Sequence, residues 1–254
     1  MKIISKILFA GFTLLLMSFF FADKKKIRVY LIGDSTIAIK EVKAFPETGW
    51  GMPFNNFFDT SVVIDNRAKN GRSTKSFIAE NLWQPVVDKL QEGDYVFIQF
   101  GHNDEGKEKT GRYTTPDEFK TNLLRYVNES RAKKALPILI TPVSRRNFDS
   151  AGHIKQTHPL YSEAVREVAK ANNVPLIDLD EKSRDLLQKL GPVSSKLLFN
   201  YLDAGEHPNY PDGKKDDTHF NELGARKMAE IVLAEIKNLK LDLADRIVKP
   251  VVKK

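Results

Sequence analysis

Five short apolar runs recur along the chain with amphipathic segments between them, and this alternation restricts the fold more than any other feature. The runs are Arg28–Ile32, Ser61–Ile64, Tyr95–Phe100, Pro137–Ile140 and Val174–Ile177. They are short, β-branched, and lack the clean apolar–polar alternation of a strand with one face in water. Such runs suit strands buried on both faces of a parallel sheet. Three further segments have helical periodicity. Pro116–Lys134 opens on Thr115-Pro116-Asp117-Glu118, which offers a cap, a proline and an acidic first turn, and Phe119, Leu123, Leu124 and Val127 share one face. Pro159–Asn172 places Leu160, Ala164, Val165, Val168 and Ala169 on one face, and Asn221–Leu239 carries Leu223, Ala225, Met228, Ile231, Val232 and Ile236. Strand and helix in repeated succession predict an open, doubly wound α/β sandwich with right-handed crossovers.

At 254 residues the chain can bury such a core as one α/β domain. No internal repeat, low-complexity stretch or second-domain linker interrupts the pattern. Gly191–Asp217 reads as a long polar loop, and long loops are often functional. The basic tail from Arg246 to Lys254 reads as frayed. The absence of cysteine excludes disulfides, Cys-based zinc sites and thiol nucleophiles. Forty Lys and Arg against 33 Asp and Glu give a net charge of +7. Basic and acidic residues are interspersed, so a nucleic-acid partner is not expected, whereas an acidic substrate is compatible with the excess.

The N-terminus has its own pattern. Lys2 and Lys6 precede an apolar run from Ile7 to Phe21, followed by Ala22, Asp23 and three lysines. A positive start and a short apolar stretch predict a signal peptide over residues 1–22, with the functional domain over 23–254. Secretion or a periplasmic location follows. Phe20 stands where a small residue would precede a cut after Ala22, so an uncleaved membrane anchor is the alternative.

Small polar motifs close three of the runs. Gly33-Asp34-Ser35 follows the first, Asn70-Gly71-Arg72-Ser73 comes after the second, and Gly101-His102-Asn103-Asp104 follows the third. In an open parallel sheet, ligands bind beyond the carboxyl ends of the strands, at the switch point in strand order. Far downstream, Asp216-Asp217-Thr218-His219 precedes the last helix. Serine, histidine, an acid, a glycine N–H and an asparagine amide are the inventory of acyl transfer. Singly, each motif reads as an ordinary turn, cap or packed loop residue. Together, in this order and at strand ends, they are not expected by chance. The histidines are too dispersed for a zinc site, and no metal or cofactor is expected. His153, His158 and His207 read as surface or substrate-loop residues.

These four blocks resemble those of the SGNH (GDSL-type) hydrolases. Asn70-Gly71-Arg72-Ser73-Thr74, Thr141-Pro142-Val143-Ser144-Arg145-Arg146 and Tyr210-Pro211-Asp212-Gly213 through Phe220 further resemble rhamnogalacturonan acetylesterases. The resemblance implies a three-layer α/β/α sandwich around a five-stranded parallel sheet in the order 2-1-3-4-5. It implies Ser35 as nucleophile, His219 as base and Asp216 as the acid that orients the imidazole. It also implies an oxyanion hole made by the Ser35 and Gly71 N–H groups and the Asn103 amide. The family spacing selects Asp216 over Asp217, and a turn would set positions i and i+3 on one face, with Asp217 toward solvent or capping the next turn. The substrate implied is an acetylated polysaccharide or oligosaccharide, foremost the rhamnogalacturonan part of pectin, hydrolysed by a monomer. Pectin is acidic, so Arg72, Arg145, Arg146 and Lys214 are candidates to meet its carboxylates. The alternatives are another sugar-ester deacetylase such as an acetylxylan esterase, a lipase or thioesterase, and a non-catalytic carbohydrate-binding module.

Overall fold

The structure, a computed structural model, describes residues 25–249, so the expected leader lies outside the described residues. Strands β1 (Ile27–Gly33), β2 (Val62–Asn66), β3 (Tyr95–Gln99), β4 (Leu136–Ile140) and β5 (Leu176–Ile177) form one parallel sheet in the order β2-β1-β3-β4-β5. Its two faces explain why the runs do not alternate in polarity. Val29, Leu31, Phe97, Ile138 and Ile140 fill one core, and Tyr30, Ile32, Val96, Ile98 and Leu139 fill the other.

Helices α1 (Gly51–Phe54), α6 (Leu179–Ser194) and α7 (Glu222–Asn238) cover the first face. Helices α2 (Thr74–Ala79), α3 (Gln84–Val87), α4 (Pro116–Ala132) and α5 (Pro159–Ala171) cover the second. The result is the expected α/β/α sandwich. Thr115 and Glu118 start α4 with a reciprocal capping box, each side chain bonded to the other's backbone N–H. Asn221 caps α7 through the Gly224 N–H. Gly224 is glycine for a steric reason, since a Cβ there would sit 1.8 Å from the Leu198 carbonyl oxygen.

Four expectations need correction. Gly191–Asp217 is not one loop. It holds the kinked end of α6 and a two-stranded antiparallel sheet, β6 (Phe199–Leu202) with β7 (Lys214–Phe220). The sequence of β7, KKDDTHF, has no apolar period to betray a strand. The tail is not frayed through Val248: Leu243 is buried, the Asp59 N–H donates to the Arg246 carbonyl, and the Val248 N–H donates to the Phe57 carbonyl. Leu160 and Leu223 are exposed. Tyr161 takes the inward position on α5 because its hydroxyl can donate to the Asp104 and Thr114 carbonyls while its ring is buried. His158 is fully buried rather than at the surface.

Candidate active site

Because β1 lies between β2 and β3, the loops after all three strands converge at one end of the sheet. Asp34 is buried and its carboxylate accepts from the Thr36 N–H (2.9 Å) and hydroxyl (2.8 Å), which fixes the turn that presents Ser35. The Ser35 hydroxyl lies 3.0 Å from His219 Nε2. His219 Nδ1 lies 2.9 Å from Asp216 Oδ2. The other carboxylate oxygen of Asp216 accepts from the Thr218 N–H (2.8 Å) and the His219 N–H (2.9 Å). Burial pushes the Asp216 carboxyl up, but the His219 ring and these two N–H donors more than offset it and hold it well below the usual carboxylate range.

This pair was expected on a turn at a helix entrance; it rides on β7 instead. In a regular strand, residues i and i+3 point to opposite faces. The β6–β7 pairing shifts register here, the Asp216 carboxylate folds back onto two N–H groups of its own strand, and Asp216 thereby meets the His219 ring, whose other nitrogen faces Ser35. Asp217 leaves on the other side. It is half-exposed, yet it pairs with Arg146 Nη1 at 2.6 Å and accepts from the Tyr201 hydroxyl at 2.7 Å.

Arg146 therefore anchors the β6–β7 hairpin to the main sheet. Its N–H donates to the Asp217 carbonyl (2.8 Å), and its guanidinium also reaches Ser195 and the Pro192 carbonyl while lying over the Tyr201 and Phe148 rings. The other basic candidates also hold acids of their own. Arg72 pairs with Glu80 (2.7 Å), Arg145 with Glu105 (3.1 Å), and Lys214 lies 3.7 Å from Asp216 with its ammonium over the Tyr210 ring.

Gly71 has φ +73°, a left-handed conformation that glycine adopts without strain. The Asn103 amide donates to the Arg72 carbonyl at 3.2 Å, which seats it beside Gly71. Lys40, which sequence reasoning missed, ties the Ser35 and Gly71 loops together. Its fully buried ammonium donates to the Ser35 carbonyl and to Asn70 Oδ1 (2.9 Å), and pairs with Glu47 at 2.7 Å. Burial draws the Lys40 ammonium below the usual lysine range, with Glu47 opposing. Nothing in the run Ile37-Ala38-Ile39-Lys40 marks it beyond apolar neighbours. Among the described residues, no group of three or more His, Asp or Glu side chains is placed to hold a metal.

Behind Asn103 two imidazoles meet at a tilt of 53°. His102 and His158 have ring centroids 4.1 Å apart. His102 Nε2–H donates to the Val143 carbonyl (3.0 Å), and His158 Nδ1 contacts Glu105 (2.9 Å). Burial, helped by the Arg145 guanidinium, pulls His158 down to about 3. Its neutral form is thus favoured in the fold. The stability it contributes is present above the unfolded histidine value of ~6.5 and is lost as the pH falls below it. The wild-type stability should therefore approach that of a His158→Asn variant on acidification, the gap narrowing by about 2 kcal/mol between pH 6.5 and 5. Thermal melts of both proteins across that range test this, and a gap that stays constant refutes it.

Comparison with known proteins identifies the family and the fold. The GDSL-like Lipase/Acylhydrolase family matches residues 31–227. The chain is 42% identical to the rhamnogalacturonan acetylesterase RhgT of Bacillus subtilis (strain 168), over 89% of this chain and 96% of that protein. Among solved structures, it resembles protein YxiM of Bacillus subtilis with a TM-score of 0.74 at 24% identity, covering 86% of this chain and 58% of that one. It also resembles a catalytic mutant of the acetylxylan esterase Axe2 from Geobacillus stearothermophilus, with a TM-score of 0.61 at 17% identity, covering 84% of this chain and 94% of that one. By sequence and by fold, the chain belongs to the GDSL-like lipase/acylhydrolase family of carboxylic ester hydrolases.

Proposed function

We propose that the chain removes O-acetyl groups from rhamnogalacturonan by an acyl-enzyme mechanism. The observation that carries the chemistry is the unbroken hydrogen-bond chain from Ser35 through His219 to Asp216. His219 Nε2 takes the Ser35 proton as Oγ attacks the ester carbonyl. The same imidazole returns the proton to the departing sugar hydroxyl. Asp216 accepts the Nδ1–H, which leaves Nε2 with its lone pair toward Ser35, and it stabilises the imidazolium that forms. The Ser35 and Gly71 N–H groups and the second N–H of the Asn103 amide stabilise the oxyanion, each such donor contributing on the order of 10²–10³ in kcat. Water then attacks the acetyl-Ser35 ester by the same steps in reverse and releases acetate.

The substrate rests on similarity: the relative at 42% identity is named a rhamnogalacturonan acetylesterase. Asn103 beside the Arg72 carbonyl, and Lys214 at 3.7 Å from Asp216, put polar groups next to the triad, which suits a sugar better than a long acyl chain. Export by the leader over residues 1–22 would bring the enzyme to a polysaccharide outside the cell. Acetate release from acetylated rhamnogalacturonan, acetylxylan and small aryl acetates tests the assignment. The largest kcat/KM is expected on rhamnogalacturonan. A preference for acetylxylan would transfer the proposal to that polymer, and turnover of long-chain esters alone would overturn it.

A further inference from the structure

Arg112 sits on the loop of residues 105–113 between β3 and α4, 41 positions from Gly71. The fold lays its guanidinium across the open face of that glycine. A Cβ built on Gly71 would lie 3.1 Å from Nη1 and 3.4 Å from both Cζ and Nη2. Gly71 thus serves twice, once for its left-handed backbone and once because a side chain there would displace Arg112. The Arg112 backbone is fixed by its own N–H, which donates to the Lys109 carbonyl at 2.8 Å.

The guanidinium differs from those of the other basic candidates in what it lacks. Arg72, Arg145 and Arg146 each hold a carboxylate of this chain. Arg112 makes no side-chain hydrogen bond, ion pair or ring contact with any described residue. It is half-buried, with one face against the glycine. A planar fork of N–H donors matches a carboxylate in two parallel bonds, and partial desolvation strengthens such a pair.

We infer that Arg112 binds a carboxylate of the substrate, on the acetylated sugar or its immediate neighbour, and that it sets the preference for uronic-acid esters over neutral ones. The inference rests on the proposed acetylesterase reading, because it needs Gly71 to face the scissile ester. Its chemistry is recognition: the charge pairs with a group that does not change during the reaction. An arginine stabilising the oxyanion would instead act on every ester alike.

The test compares the wild type with Arg112→Gln and Arg112→Lys on three substrates. These are an acetylated rhamnogalacturonan oligosaccharide, the same oligosaccharide with its carboxylates reduced to alcohols, and a neutral aryl acetate. Arg112→Gln should lower the ratio of kcat/KM on the acidic over the reduced oligosaccharide by about 10- to 100-fold, the size of a lost charged hydrogen bond. The loss should lie in KM, and Arg112→Lys should restore only part of it because an ammonium lacks the fork. Salt should weaken wild-type turnover of the acidic substrate and have less effect on the variant, since screening over ~10 Å at 0.1 M removes what the charge contributed. Equal losses on all three substrates would overturn the inference in favour of oxyanion electrostatics or a structural role. An unchanged ratio would overturn it outright. If the wild type releases no acetate from the acidic oligosaccharide while hydrolysing the aryl ester, the substrate reading fails and the inference falls with it.

Discussion

Ser35→Ala should abolish ester hydrolysis while leaving the fold intact. The hydroxyl is the atom that faces His219 Nε2 at 3.0 Å, and no neighbouring serine or threonine shares that contact. Removal of the nucleophile from a serine hydrolase of this kind lowers kcat by roughly 10⁶-fold. The structural cost is small. Ser35 Oγ makes that single side-chain hydrogen bond, and its loss contributes about 1 kcal/mol, or roughly 2–4 °C in Tm for a domain of this size. The turn itself is held by Asp34 and Thr36, and the Lys40 contact uses the Ser35 carbonyl, so neither depends on the hydroxyl. Turnover of an aryl acetate and a thermal melt on the same preparation decide the matter. A variant that keeps more than a few per cent of the wild-type rate would remove Ser35 as the nucleophile.

Asp216→Asn should cost orders of magnitude in kcat, and Asp217→Asn only a few fold. The two carboxylates are adjacent in sequence but differ in what they hold. An asparagine at 216 keeps an oxygen for the Thr218 and His219 N–H groups, so the fold-back onto β7 survives. Its amide nitrogen then faces His219 Nδ1. That donor forces Nδ1 to accept, moves the ring proton to Nε2, and leaves no lone pair toward Ser35. The reference loss for this change in a serine protease is ~10⁴, and a smaller loss than for Ser35→Ala is expected. Asp217→Asn leaves the imidazole untouched. It weakens a half-exposed pair with Arg146 and a bond from Tyr201, which should lower Tm by a few degrees. Measuring kcat for both variants on one aryl acetate separates them. If Asp217→Asn is the crippled one, the acid of the triad has been misassigned.

The strands of the main sheet were legible because burial on both faces leaves a run such as RVYLI without polar positions, and that pattern survives without knowledge of partners. The site blocks were legible because tight turns at strand ends use small polar residues that sequence displays directly. The β6–β7 hairpin was not. Each residue of KKDDTHF is polar except the last, and what selects a strand there is long-range: the buried Phe199 and Phe220 beneath it and the Arg146 contacts beside it. Arg112 was equally hidden. It is one of forty basic residues, and only the folding of a loop onto Gly71 distinguishes it from a solvated cation. His158 read as a surface residue because its burial depends on Glu105 and His102, which approach from a separate part of the chain.

The loop that carries Arg112 is closed at its base. The Thr114 N–H donates to the Asp104 carbonyl (3.0 Å), the Thr114 hydroxyl donates to the Asp104 carboxylate (3.1 Å), and the Tyr161 hydroxyl spans both backbones. Everything between these two residues hangs from a finished joint. Doubling the length of a loop so anchored adds only ~0.6 kcal/mol of closure entropy. Glu105 is tied inward by its contacts with His158 and Arg145, so the sheet experiences little of what happens inside residues 106–113. Insertions, deletions and exchanges can accumulate there at low cost, and lineages sharing the same serine, histidine and aspartate are free to part ways in the sugar they prefer by redrafting eight residues.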